Sequence, residues 1–136
     1  MSTSDAAGPP SARTTLKRGD NRAAYAQDDV KAVLDAGMVA HVGVNTEHGV
    51  IVLPMVYGRT EDTLYLHGSA ANAMLRAGAD TDICVTVTLV DGLVVARSAF
   101  HNSMNYRSVV VRGHARKVTD ADEILSSLQI LSLIHI

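Results

Sequence analysis

At 136 residues, 47% of them hydrophobic, the chain has the size of one domain with one core. A net charge of −2 with scattered lysines and arginines excludes nucleic acid and a charged membrane surface as main partners. One cysteine permits no internal disulfide, no apolar leader opens the chain, and no run reaches the ~18 residues of a membrane span, so the expected location is the cytoplasm.

Residues 1–15 are rich in Ser, Thr, Ala, Gly and Pro and read as a disordered head before a folded domain at 16–130. Between 27 and 36, Val30, Val33 and Leu34 fall at helical spacing. Asp28 and Asp29 suit the first turn there, and Gly37 is placed as a stop. The period then drops to two. MVAHVGV at 38–44 and TLYLHG at 63–68 alternate, GVIVLPMVY at 49–57 is apolar on both faces, and polar turns at 45–48 and 58–62 make these three successive antiparallel strands. A short helix is expected over 70–79, with Ser69 as its N-cap.

In TDICVTVTLVDGLVVARS at 81–98, the Asp91-Gly92 pair predicts a two-residue hairpin turn between the fourth and fifth strands. Residues 106–118 give a sixth strand, and a capping box at Thr119 precedes a closing helix over EILSSLQIL. Connections this short exclude a parallel sheet. The expected fold is mainly β (α+β): a small antiparallel six-stranded split β-barrel with short flanking helices. Cys84, inside an apolar run, reads as a buried thiol.

Three stretches carry candidate chemistry. Pro54 sits in the most apolar strand, where proline deletes a ladder donor, so the sheet should be interrupted there and main-chain groups of Leu53 and Met55 freed for a flat heteroaromatic ring. In HGSAAN at 67–72, a glycine and a helix start suit a phosphate, with a plain serine-capped turn as the ordinary alternative. Between the apolar runs 93–96 and 109–111 lie Arg97, Ser98, His101, Asn102, Ser103, Asn105, Tyr106, Arg107 and Ser108, polar groups at strand ends where barrels read ligands. The six histidines show no close-spaced pair, so a metal site is not expected, and no hydrolase, P-loop or dinucleotide fingerprint is present.

The segments RGDNRAAY at 18–25, AHVGV at 40–44, VLPMVYGR at 52–59, LYLHGSAAN at 64–72 and the run from Val85 to Val118 together resemble the pyridoxamine 5′-phosphate oxidase-like family, in its flavin-nucleotide-binding branch near the nitroimidazole reductases. The resemblance implies an FMN-binding split barrel that forms a homodimer, with FMN in a cleft between the subunits and a small molecule as substrate. It puts Leu53, Pro54 and Met55 against the isoalloxazine ring and His67, Gly68, Ser69 and Asn72 near the ribityl chain and phosphate. The stretch Asn105 to Ser108, with Tyr106 in it, would close the site, and Arg107 or Ser108 would lie near the phosphate or across the dimer interface. FAD, a deazaflavin or haem are the alternative cofactors.

The implied activity is an FMN-dependent oxidoreductase with no catalytic side chain, since the flavin carries the chemistry. The alternatives are a storage or sensor module that holds flavin or haem, with His41, His67 or His101 as an axial ligand, and a scaffold that has lost its cofactor. Two positions depart from the family pattern: Ala73 stands where a basic residue is usual, and Asn102 where a histidine is expected. The family implies a further helix and strands beyond Val118, and LSLIHI at 131–136 resembles translated sequencing adapter, so a C-terminal truncation with a non-native tail is expected.

Overall fold

A computed structural model describes residues 8–69 and 72–132. Helix α1 (Gln27–Ala36) leads into strands β1 (Val39–Thr46), β2 (Gly49–Thr60) and β3 (Thr63–Leu66). A one-and-a-half-turn helix α2 (Ala73–Gly78) precedes β4 (Asp82–Val94) and β5 (Ser103–His114), and α3 (Ala121–Ser132) follows. The strands form one antiparallel sheet in the order β3-β2-β1-β4-β5. No helix among the described residues is long and apolar enough to cross a membrane.

Five strands stand where six are expected. Val90 pairs with Tyr106 and Gly92 with Asn105, so Asp91 is the extra residue of a β-bulge and β4 runs on to Val94. The two-residue turn expected at Asp91-Gly92 needs positive φ, and Gly92 is not among the positive-φ glycines, which are Gly19 and Gly49. Across the bulge the Arg107 guanidinium donates to the Asp91 carboxylate at 3.0 and 2.9 Å, an exposed pair that links the two strands. The chain reverses later, through a 3-10 turn at Ala99–His101. β5 also starts earlier than expected, at Ser103, and ends at His114. Two other turns shift as well: Gly58 lies inside β2, and the β2–β3 turn is Glu61-Asp62, with Glu61 at φ 35.

One face of the sheet makes the core. Ala40, Val42 and Val44 of β1, Met55 and Tyr57 of β2, and Val85 and Val87 of β4 meet Leu34 of α1 and Met74 of α2. Each fully buried aliphatic side chain contributes about 1.5–3 kcal/mol. Alternation along β1 follows directly from its sequence, with small or β-branched residues at every second position.

Tyr57 fastens α1 to this core. Its phenol donates a hydrogen bond to the Leu34 carbonyl, and burial pushes its pKa above the ordinary tyrosine value. Gly37 admits this contact, because a Cβ there would stand 2.4 Å from Val87 Cγ1 and 2.6 Å from the Tyr57 hydroxyl. Gly37 is extended, at φ −84, so glycine serves close packing here and not a left-handed cap. Gly58 plays the same part for α3, since a Cβ would lie 2.7 Å from Ile130 Cγ2.

Gly37→Ala should therefore overpack the corner and destabilise the fold by about 1–3 kcal/mol. Tyr57→Phe, which strips the Leu34 carbonyl of its partner, should cost a similar ~1–3 kcal/mol. Urea unfolding of both variants checks this, and unchanged midpoints would contradict the packing described.

Candidate functional site

β2 serves two neighbours at different ends. It pairs with β1 over Gly49–Val56 on one side, and with β3 only from Tyr57 on the other. Along residues 49–55 that second side has no strand partner among the described residues. Pro54 sits in this stretch, opposite His41. The β1–β2 ladder runs through it, so the expected interruption of the sheet does not occur; the proline is accommodated because its nitrogen points away from β1.

Backbone direction alternates along a strand. The Val56 carbonyl accepts from the His67 amide at 3.4 Å and so faces the β3 side. By alternation Pro54 and Val52 present their main-chain groups to the same open side, while those of Leu53 and Met55 face β1. The expected freeing of Leu53 and Met55 main-chain groups thus passes to Val52 and Pro54. The Leu53 and Met55 side chains lean toward the core face, with Met55 buried and Leu53 38% exposed.

The turn after β3 lies beside this edge. His67 and Ser69 are exposed and Gly68 is half-buried; a Cβ on Gly68 would meet Leu75 Cδ1 at 2.6 Å. The N-cap is Asn72 and not Ser69. Its Oδ1 accepts from the amides of Met74 at 2.9 Å and Leu75 at 3.4 Å, and its own amide donates to the Ser69 carbonyl at 2.9 Å. The shorter side-chain reach of an asparagine directly before Ala73 wins over the distant serine. Two helix-start amides are therefore satisfied internally, which removes them from any anion site.

Tyr106, Arg107 and Ser108 lie across the sheet. Ser108 pairs with Thr88 and Arg107 with Leu89, on the last strand. Three strand spacings separate β2 from β5, roughly 14 Å. One chain therefore brings Leu53, Pro54 and Met55 close to His67, Gly68, Ser69 and Asn72, and leaves Tyr106, Arg107 and Ser108 apart from both. The Arg107 guanidinium is also occupied by Asp91, whose carboxyl it holds below the ordinary carboxylate value through the shared hydrogen bonds.

The outward face of the sheet contains a hollow of about 620 Å³ that none of these ten residues lines. His41, Gly43, Val50, Val52, Thr86 and Cys84 form much of its wall. Cys84 is thus half-buried at a hollow, not sealed in the core, because Gly43 opposite it has no side chain. Val52 and Asp91 escape sequence reasoning. A strand apolar on both faces hides which backbone groups are free, and an Asp-Gly pair signals turn and bulge alike.

A family model described as pyridoxamine 5′-phosphate oxidase matches residues 26–134. No curated protein matches the chain. Among solved structures, a flavocytochrome from Azotobacter vinelandii is 41% identical, with a TM-score of 0.83 over 90% of this chain and 57% of its own. The FAD and haem binding protein from Mycobacterium smegmatis is 33% identical, with a TM-score of 0.73 over 82% of this chain and 54% of its own. A protein from Bacteroides thetaiotaomicron described as conferring 5-nitroimidazole antibiotic resistance shares the fold at 24% identity, with a TM-score of 0.66 over 82% of this chain and 67% of its own. The chain spans a little over half the length of the first two.

The Asp91 carboxyl should titrate below 3.8. Because the folded value is the depressed one, its contribution to holding the strands together is complete above 3.8 and is lost as pH falls through the folded value. Carboxyl chemical shifts followed by NMR check this. Arg107→Ala should return the midpoint to the ordinary range, and a midpoint that does not move would contradict the pairing.

Proposed function

The chain belongs to the pyridoxamine 5′-phosphate oxidase family, and from that premise we propose that it binds a flavin, FMN in the first instance, between two copies of itself and acts as an FMN-dependent oxidoreductase on a small molecule. The observation that carries this reading is the open side of β2. A strand edge that presents peptide groups at Val52 and Pro54, beside apolar side chains, matches a flat ring with donors and acceptors along one edge. The glycine-serine turn from His67 to Asn72 lies next to that edge and suits a polyol tail.

When bound, the flavin supplies hydride transfer. The protein's own work is to hold the ring, exclude water with Val52 and Leu53, and position the tail. Support for flavin comes from the two structural neighbours above 30% identity, one a flavocytochrome and the other described as binding FAD and haem. The residues here fit the ring and tail better than the phosphate: Ala73 offers no charge, and Arg107 is engaged by Asp91. Leu53, Pro54, Met55, His67, Gly68, Ser69 and Asn72 form one wall in this proposal. Tyr106, Arg107 and Ser108 reach the cofactor from the second copy.

A second reading is favoured by one observation. His41 stands in the 620 Å³ hollow beside Gly43, where a planar macrocycle could approach the sheet. On this reading the chain holds haem with His41 as axial ligand, as a storage or sensor module. A Soret band on adding haemin that disappears in His41→Ala would select it. His67, at the end of β3, and His101, at the turn before β5, do not line this hollow, and all three imidazoles are exposed.

The first reading expects FMN added to the purified protein to bind and shift its flavin absorbance. Ala73→Lys should then tighten FMN binding by about one to two decades through a charge-assisted phosphate contact worth roughly 1.5–3 kcal/mol. Riboflavin, which lacks the phosphate, should bind both proteins alike. A protein that takes up no added FMN would overturn the proposal.

A further inference from the structure

A row of four residues crosses the outward face of the sheet. Val52 of β2 pairs with Gly43 of β1, Gly43 with Cys84 of β4, and Cys84 with Arg112 of β5. All four line the hollow of about 620 Å³, so the row runs through it from an apolar end to a cationic end. Three strand spacings separate those ends, roughly 14 Å.

Gly43 is the unexpected member. Glycine inside a strand weakens it, and it marks a bulge, a bend or a place where another group comes close to the backbone. Both ladders of β1 run through Gly43 without a register shift, and its φ is not positive. Packing does not demand glycine either, since a Cβ would stand 3.6 Å from the Cys84 carbonyl oxygen and 3.7 Å from Val52 Cγ2, ordinary contact distances. The missing side chain deepens the hollow and lets a flat molecule approach the backbone there.

Arg112 supplies the charge. Its guanidinium makes no hydrogen bond or ion pair with any described residue, whereas Arg59, Arg107 and Arg116 are each held by a carboxylate. The hollow's own carboxylate, Asp82, lies 3.2 Å from His114 Nδ1 and 3.9 Å from Arg13, so two basic side chains already face it. An unpaired guanidinium fork matches a carboxylate through two parallel bonds, and with Asp82 nearby a singly charged acid fits better than a phosphate. At the other end Val50 and Val52 are 73% and 58% exposed and offer apolar surface.

We infer that this hollow binds a flat organic carboxylate, with the acid group on Arg112 and the apolar body over Gly43 against Val50 and Val52. The binding requires no ligation by His41, which separates it from the haem reading. It shares Val52 with the flavin reading and none of the ten residues proposed to hold that cofactor, so it stands without either.

Cys84, the chain's single cysteine, is half-buried in the row and reports on its occupancy. The probe is 2-naphthoate, and 2-naphthalenemethanol is its neutral counterpart. At saturation the naphthoate should slow alkylation of the thiol by iodoacetamide several-fold, with far weaker protection by the alcohol and none by acetate, which lacks the apolar body. Arg112→Gln should raise the naphthoate dissociation constant about tenfold, through loss of one charge-assisted contact, and leave that of the alcohol unchanged. Gly43→Ala should bind naphthoate more weakly while its urea midpoint stays equal or rises, because alanine suits a strand interior better than glycine. His41→Ala should bind naphthoate as the wild type does. Absence of protection, equal protection by acetate or by the alcohol, or undiminished binding by Arg112→Gln or Gly43→Ala would overturn the inference. The protection readout uses neither FMN nor haemin, so such a failure leaves both earlier readings untouched.

Discussion

A strand in the middle of a sheet normally spends its peptide groups on two neighbours, and β2 does not. Its first half has β1 on one side and no described strand on the other, while its second half turns to β3. Pro54 stabilises this division in a negative sense: without an N–H it offers a further strand no donor at that position. The open stretch is therefore compatible with a folded protein while its outer peptide groups face solvent and stay available to a ligand, and the proposed site depends on it.

The parts that keep the fold together lie elsewhere. Leu34, Tyr57, Gly37 and Val87 make a tight corner on the core face, and the Arg59–Asp35 pair, bonded at 2.8 and 2.7 Å, holds α1 to β2 at the surface. This separation leaves the outward face available for binding. Substitutions at Val52 or Arg112 fall on exposed residues, whereas Gly37 and Tyr57 bear on stability without approaching the proposed cleft.

Much of the fold was legible in the sequence. Alternation at Ala40, Val42 and Val44 marks β1 and its inner face, and the spacing of Val30, Val33 and Leu34 marks α1. The strand count failed at Asp91-Gly92, because the same dipeptide serves a turn or a bulge, and the choice shows only in the pairing of β4 with β5, which continues past it to Val94. The helix cap failed for a related reason: Ser69 and Asn72 both suit the position, and only the backbone path shows which side chain reaches the Met74 amide. At the site, proximity of the β2 and His67–Asn72 residues followed from strand order. The distance of Tyr106, Arg107 and Ser108 did not, since the resemblance describes an assembly and the sequence of one chain does not say which copy supplies which residue.

Amide hydrogen exchange with and without FMN tests the central claim most directly. If the free side of β2 receives the ring and a second copy closes over it, exchange at Val50 and Val52 slows on adding FMN, together with exchange across Tyr106, Arg107 and Ser108. Flavin that binds while both segments exchange at their original rates would contradict the account.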